Sequence, residues 1–100
     1  MVPDISKITG IGEYASKTEK VNENHERELF LKGEKVFLVI NKNTIELRTD
    51  PELKKLLIEK YESVMESRYF GRGGVEIVIA GHQLENSELD DLIRLSYNLS

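Results

Sequence analysis

The residue types that most often carry chemistry are scarce in this 100-residue sequence. Histidine occurs at His25 and His82, and cysteine is absent. His82 near Glu85 has the composition of a general acid–base pair, although a histidine in a turn is the simpler interpretation. Neither histidine has a second one at the spacing of metal ligands, and the phosphate-binding and nucleophile motifs of common enzymes are missing. We therefore expect no catalysis, no cofactor and no metal.

One glycine-rich stretch, residues 68–74, has the chemistry of an anion-binding loop. It joins the guanidinium groups of Arg68 and Arg72 to the ring of Tyr69 and to three glycines. Backbone N–H groups of such a loop approach a phosphate closely, while arginine supplies charge and tyrosine supplies a stacking surface. The other interpretation is that the glycines allow a tight reversal and the aromatic residues close one end of the core.

A second basic group is predicted on the polar face of a three-stranded meander, where Lys32, Lys42 and Arg48 would approach one another. Glu34 and Glu46 lie among them and would neutralise part of their charge. The whole chain has 14 Lys and Arg against 18 Asp and Glu, which gives a net charge of −4. Because this balance repels a polyphosphate, DNA binding needs a local patch. The candidate nucleic-acid contacts are Arg48, Arg68, Tyr69, Arg72, Lys32 and Lys42.

The segment 35–40 is apolar on both faces of a predicted strand. Val36, Leu38 and Ile40 point to one side, and the two residues between them point to the other. A sheet with one open face would leave one of these rows in contact with water. Either a helix or the N-terminal segment covers that row, or another protein chain does. The second alternative makes Val36, Leu38 and Ile40 candidate interface residues for a homodimer or a partner protein.

The N-terminal quarter of the chain differs in composition from the rest. Residues 16–28 hold one apolar residue, Val21, in thirteen positions. Such a segment cannot bury itself and is typical of a loop or a mobile arm. We therefore predict a short N-terminal segment and polar arm over residues 1–27, followed by one α/β domain over residues 28–100.

The hydrophobic pattern of that domain predicts four strands and two helices. A hairpin turns at Gly33, since a type II′ turn requires glycine first. One helix begins at Pro51 after an Asp50 N-cap and carries an inward apolar stripe as far as Met65. The last helix begins at Ser87. The order is β-β-β-α-β-α, with strands at 28–32, 35–40, 44–49 and 75–80. This predicts an α+β fold of two layers, an antiparallel sheet with the helices packed on it.

From about residue 28 to its end, the chain resembles the MmcQ/YjbR family of small bacterial proteins. The resemblance lies in KVFLVINKNTIELRTDPEL, in ESRYFGRGGVEIVIAG and in the closing SELDDLIRLSYNL. It implies a two-layer α/β domain with a topology similar to that of secretion chaperones. It also implies DNA binding by a double-wing arrangement, with Arg48, Arg68 and the loop through Arg72 as contacts. Two departures weaken that surface: Gly73-Gly74 stands where members commonly have a tryptophan, and the substantial N-terminal helix of the family is shortened.

No signal peptide and no run of apolar residues long enough to span a membrane is present. We therefore expect a cytoplasmic protein that does not enter a membrane. The composition favours a small, non-catalytic binding domain that acts through protein–protein contact, with either a second copy or a different chain. The alternative is DNA binding through the arginine and glycine loop and the sheet face, which the acidic charge balance disfavours.

Overall fold

The computed structural model describes residues 4–81 and 83–100, which form one six-stranded antiparallel sheet with two helices. This confirms the α+β class and adds two strands to the predicted order. The strands lie side by side in the order β1-β2-β3-β4-β6-β5. Their bounds are β1 Ala15–Asn22, β2 His25–Lys32, β3 Lys35–Ile40, β4 Thr44–Arg48, β5 Val64–Ser67 and β6 Gly71–Val78, and the helices are α1 Pro51–Lys60 and α2 Asn86–Leu99.

The first added strand replaces the predicted arm. Residues 16–28, which we expected to form a loop, instead form β1 and the first half of β2. Composition misleads here because β1 is held by its hydrogen-bonded pairing with β2 rather than by burial, and seven of its eight side chains are exposed. The turn between the two strands is fixed by Asn22, whose Oδ1 accepts a hydrogen bond from the Asn24 N–H at 2.9 Å.

The predicted hairpin between β2 and β3 is present, with Gly33 at a φ of 63°. A positive φ is what a two-residue hairpin turn requires and what glycine adopts without strain. The pairing also contains a β-bulge, in which Phe30 lies opposite Leu38 and Leu31 lies opposite Val36. The extra residue, Phe37, therefore shares a face with Leu38, and the strict alternation predicted for this strand is wrong.

Helix α1 begins as predicted, because the Asp50 carboxylate accepts a hydrogen bond from the Leu53 N–H at 2.8 Å and Pro51 follows it. It ends at Lys60, so the predicted stripe is too long. Val64 and Met65 belong instead to β5, which pairs with β6 and is too short to show an alternating pattern of its own. Leu56, expected to face inward, is 63% exposed.

Helix α2 buries the residues that its pattern predicts, Leu89, Leu92, Ile93 and Tyr97. Its N-cap is Glu85 rather than Ser87, and no side chain caps it. Both helices pack on one face of the sheet, α2 against β3 and β4 and α1 against β5 and β6. We call this the helix-covered face, defined by Phe37, Ile45, Leu47, Val75 and Ile77. Neither helix in the described part of the chain has the length and apolar character needed to cross a membrane.

One hydroxyl group joins α2 to the sheet. The pairing between β3 and β4 ends at Leu38 and Leu47. Beyond that point the backbone N–H and C=O groups of the two strands do not pair with each other. The fully buried Ser96 fills this gap: its Oγ accepts a hydrogen bond from the Arg48 N–H at 2.8 Å and donates one to the Phe37 carbonyl at 2.5 Å. Ser96 therefore satisfies two backbone groups where the bulge separates the strands.

Candidate functional site

The face of the sheet that carries no helix holds the most unusual chemistry of the described residues. We call it the open face, and Leu29, Val36, Val39, Glu46 and Glu76 define it. Glu46 of β4 lies directly opposite Glu76 of β6, and each is only 2% exposed. Two buried carboxylates side by side are costly unless other groups satisfy them.

Arg68 and Thr44 satisfy Glu76. The guanidinium group of Arg68 binds the carboxylate with two hydrogen bonds, Nε to Oε1 at 3.0 Å and Nη2 to Oε2 at 2.7 Å. The Thr44 hydroxyl donates a third to Oε2 at 2.8 Å. Burial raises the pKa of Glu76, but the hydrogen bonds from Arg68 and Thr44 and the charge of Arg68 outweigh it, so the pKa lies below its usual value. The same contacts raise the pKa of Arg68.

Glu46 is satisfied by neutral donors. Its Oε2 accepts a hydrogen bond from Asn41 Nδ2 at 2.8 Å, and its Oε1 accepts two, from Ser67 Oγ and from the Tyr69 N–H, both at 2.9 Å. The Ser67 Oγ in turn accepts one from the Phe70 N–H at 2.8 Å. Glu46 therefore holds the segment from Ser67 to Phe70 against the open face.

That segment covers the apolar part of the open face. Phe70 packs against the cluster of Leu29, Val36 and Val39. Arg48 lies over the Phe70 ring, 4.9 Å from its centroid, and its Nε donates a hydrogen bond to the Val36 carbonyl at 2.7 Å. The aromatic residue thus closes one end of the core, as the second interpretation of residues 68–74 predicts.

The glycines of the same stretch serve this packing. A Cβ atom at Gly74 would collide with the Leu47 carbonyl oxygen and lie 2.8 Å from the Phe70 Cβ, so no other residue fits there without moving the backbone. Gly71 has a φ of 60°, which allows the reversal into β6. Tyr69 stacks edge-on against Phe70 with ring centroids 4.9 Å apart, and Arg27 of β2 lies 5.0 Å above the Tyr69 ring.

Of the predicted basic residues, Lys42 and Arg68 line one pocket together with His25, and the others do not join them. Arg48, Arg68 and Tyr69 lie on the open face, as described above. Arg72 lies beside α1 instead, in a groove with Lys55 and Ile58. The two arginines of the glycine-rich loop therefore point to different sides of the molecule.

The predicted meander patch is also dispersed. Lys32 lies at the end of β2 and turns toward α2, where its Nζ is 3.3 Å from the Tyr97 carbonyl and 4.6 Å from the centre of the Tyr97 ring. Lys42 lies in the turn after β3, whereas Lys32 lies just before β3, so the two lysines are at opposite ends of that strand. The expectation that Lys32, Lys42 and Arg48 approach one another is therefore wrong. Lys42 lies at the other end of the meander, and Lys32 turns toward α2 whereas Arg48 lies on the open face.

The predicted interface residues are buried within the chain itself. Val36, Leu38 and Ile40 are 8%, 0% and 9% exposed. Leu38 and Ile40 belong to the core of the helix-covered face, whereas Val36 lies beneath Phe70 on the open face. Any apolar contact with a partner must therefore use other residues.

The described residues contain no cluster of three His, Asp or Glu side chains able to hold a metal ion. His25 lies exposed at the start of β2, and His82, with its predicted pairing to Glu85, lies outside the described residues. Comparison with protein-family models, with curated proteins and with solved structures finds no match to this chain. Its function must therefore be argued from the geometry of its own surfaces.

One feature that sequence analysis missed is the outer edge of β1. This strand has eight residues, pairs with β2 on one side and forms the end of the sheet on the other. The opposite end is β5, a four-residue strand with a bulge between Glu66 and Ser67, and Lys54 of α1 reaches over to Glu66 at 2.6 Å. β1 is therefore the longer edge, and its pairing with β2 is regular from Ala15 to Lys20, before a bulge at Val21.

Proposed function

We propose that this chain is a small, non-catalytic binding domain that acts through protein–protein contact, by accepting an extended segment of a partner at the outer edge of β1. A single observation carries the proposal: β1 is an eight-residue edge strand with one neighbour, and seven of its eight side chains are exposed. The free side of such a strand presents a row of N–H and C=O groups, which pair with an added strand.

The charges of β1 give this edge selectivity. β1 contains three charged residues, Lys17, Glu19 and Lys20. Lysine on an edge strand opposes indiscriminate pairing with apolar segments. A partner strand must place complementary charges opposite them, because like charges directly across a sheet destabilise the pair. The edge is therefore built for a charged, polar partner strand rather than for an apolar one.

The open face supports a non-catalytic interpretation. Both carboxylates of Glu46 and Glu76 accept hydrogen bonds on each oxygen. A general base must reach the proton that it removes, whereas both carboxylates are only 2% exposed and each already accepts three hydrogen bonds. These groups fix the covering segment in place, so we assign them to the architecture of the domain.

DNA binding is the second candidate. One observation favours it: the Arg68 side chain is 78% exposed despite its pairing with Glu76, and the exposed ring of Tyr69 follows it. The net charge of −4 and the separation of Arg72 and Lys32 from Arg68 weigh against it. A duplex titration at about 50 and 200 mM salt would reveal phosphate contacts through a steep loss of affinity. Arg68→Ala with Arg72→Ala should abolish that affinity.

Membership of the MmcQ/YjbR family also stays a proposal. It is supported by the sequence from Leu47 to Leu53, which here forms the end of β4 and an N-capped helix, and by Ser96, which joins that helix layer to the sheet. Within residues 1–15, where the resemblance implies a shortened helix, the described part of the chain forms a single 3-10 turn, Ile5–Lys7.

Hydrogen exchange tests the strand-accepting edge directly. An added strand should slow the exchange of the outward N–H groups of β1, while those of β5 keep their rates. We would compare the protein at about 10 µM and about 1 mM, and with a panel of eight-residue peptides whose lysines and glutamates occupy different positions. Unchanged β1 exchange at high concentration and with every peptide would contradict the proposal.

A further inference from the structure

We infer that the strand added to β1 is β1 of a second copy, running antiparallel, with the two Thr18 residues facing each other across a twofold axis. This inference rests on the proposed role of β1 as a strand-accepting edge and names its partner. The two sheets would join into one continuous sheet of twelve strands, six from each chain. A twofold contact of this kind closes on itself and leaves no β1 edge open.

The sequence of β1 is self-complementary in this register. With Thr18 on the axis, Lys17 lies opposite Glu19 of the second copy, and the symmetry repeats that pair. Ser16 lies opposite Lys20, and the regular pairing ends before Val21, which is the extra residue of the β1 bulge. Oppositely charged pairs directly across two strands stabilise a sheet.

Neighbouring registers lack this match. A twofold axis between two identical edge strands must pass through a residue, because opposed residues turn their N–H and C=O groups either both toward the partner or both away from it. An axis on Lys17, Glu19 or Lys20 places a charged residue opposite itself. The Thr18 axis instead opposes unlike charges within Ala15–Lys20, the part of β1 that precedes its bulge.

The ionic groups of β1 are available for this contact. Lys17 makes no ion pair within the described part of the chain, and both contacts of Glu19 with Arg27 of β2 use its Oε1. The Oε2 of Glu19 accepts no hydrogen bond in residues 4–81 and 83–100, and the Glu19 side chain is 42% exposed. An added strand would place the partner's lysine on the side of Glu19 away from Arg27, so that one carboxylate lies between two cations.

Cysteine scanning identifies the register of the proposed dimer. The chain has no cysteine, so Thr18→Cys introduces a single thiol on the axis. Directly opposed residues have Cβ atoms about 4.5 to 5.5 Å apart, a separation that a small adjustment brings within reach of a disulfide. Mild oxidation should cross-link Thr18→Cys rapidly into dimers, whereas Ser16→Cys and Lys20→Cys, which face each other and not themselves, should cross-link only at the slow rate of random collision. Equal rates for the three variants, or a faster rate for Lys20→Cys, would overturn the inference.

Charge reversal tests the same register without covalent cross-linking. Lys17→Glu places two carboxylates opposite each other at both symmetry-related pairs, because its new side chain faces Glu19 of the second copy. It should weaken the dimer about tenfold or more in sedimentation velocity. Lys20→Glu is the matched control, since it makes the same charge change on the same strand but lies opposite Ser16, and its dimer should stay within about twofold of the parent. Circular dichroism would establish that both variants fold.

Mixing two charge-reversed variants tests the register most directly. Lys17→Glu and Glu19→Lys should each dimerise poorly alone, because each opposes like charges. In an equimolar mixture the two variants together place a carboxylate opposite an ammonium group at both pairs, so the dimer should recover. Glu19→Lys also loses its contact with Arg27, so circular dichroism and thermal unfolding must first show that this variant keeps the parent fold. Between folded variants, recovery supports the Thr18 axis and its absence overturns it. The two proposals can fail separately. If the protein stays monomeric at about 1 mM while a peptide slows hydrogen exchange in β1, self-pairing alone is refuted. If neither a second copy nor any peptide slows exchange in β1, the strand-accepting edge is refuted as well.

Discussion

The two faces of the sheet are buried by different means. On the helix-covered face, α1 and α2 bury an apolar cluster that includes Phe37, Ile45 and Ile77. On the open face, a four-residue segment from Ser67 to Phe70 covers a smaller apolar cluster and two carboxylates. The same strands serve both faces, since Ile45 and Leu47 point one way and Glu46 points the other.

The contrast shows why the open face needs a polar network. Burying apolar surface is favourable at about 25 cal/mol per Å² and requires no particular partner. A carboxylate gains little from burial even when paired, but it becomes costly once a partner is removed. We therefore expect the helix-covered face to supply most of the free energy of unfolding, and the open face to fix the position of its covering segment.

The largest effect should come from the helix-covered face. Ile93 of α2 is fully buried, and Ile93→Ala should lower the free energy of unfolding by about 3 to 4 kcal/mol, because it removes apolar contacts and leaves a cavity. Urea denaturation measures this loss. Leu95→Ala, on the exposed side of the same helix, is the control and should change stability by less than about 0.5 kcal/mol. Similar losses for the two variants would mean that α2 is not seated on the sheet as described.

The hydroxyl group on this otherwise apolar face gives the next effect. Ser96→Ala leaves the Arg48 N–H and the Phe37 carbonyl buried without a partner, and we expect a loss of about 2 kcal/mol. Ser87→Ala in the first turn of α2 should change stability by less than about 0.5 kcal/mol, since Ser87 is exposed and Glu85 is the N-cap. A loss from Ser87→Ala as large as that from Ser96→Ala would favour the N-cap that the sequence predicts.

The same contrast explains what the sequence could predict. The start of α1 depends on two adjacent residues, Asp50 and Pro51. The inward residues of α2 repeat at helical spacing. Both features could therefore be predicted from short stretches of sequence. The buried pair of Glu46 and Glu76 could not, because the two residues are thirty positions apart and each alone is typical of a solvent-facing strand position. Each glutamate lies between two apolar residues, which is the pattern of a strand with one face in water, so no local signal marks their burial.

Two other features depend on pairing between distant residues. β1 is a strand because β2 supplies its hydrogen bonds, and no side-chain pattern in residues 15–22 records this. The bulge at Phe37 depends on the register between β2 and β3 and changes which side chains share a face. The dispersal of the predicted basic patch follows from the same cause, because Lys32 and Lys42 lie near each other in the sequence but at opposite ends of β3.

The smallest effect should come from the open face, and it should depend on pH. Arg68→Ala removes two charge-assisted hydrogen bonds from Glu76, but the Arg68 side chain is largely exposed, so we expect a loss of only about 1 kcal/mol at neutral pH. The lowered pKa of Glu76 stabilises the folded parent at pH values above the unfolded pKa of about 4.3, and this stabilisation is lost as the pH falls through the folded pKa. In the variant the contacts of Arg68 no longer oppose the effect of burial, so we expect the pKa of Glu76 to be higher than in the parent. The difference in unfolding free energy between parent and variant should therefore be largest near neutral pH and should shrink in acid, where the carboxylate is protonated in both.

A double-mutant cycle separates this interaction from other effects of removing Arg68. Glu76→Gln removes the charge that Arg68 neutralises, so Arg68→Ala should cost less in the Glu76→Gln background than in the parent, and the pH dependence of its cost should disappear. Arg72→Ala, an exposed arginine beside α1, is the control and should show neither the loss nor the pH dependence. If Arg68→Ala costs the same in both backgrounds, Glu76 does not depend on Arg68, and Thr44 with the surrounding backbone must satisfy the carboxylate instead.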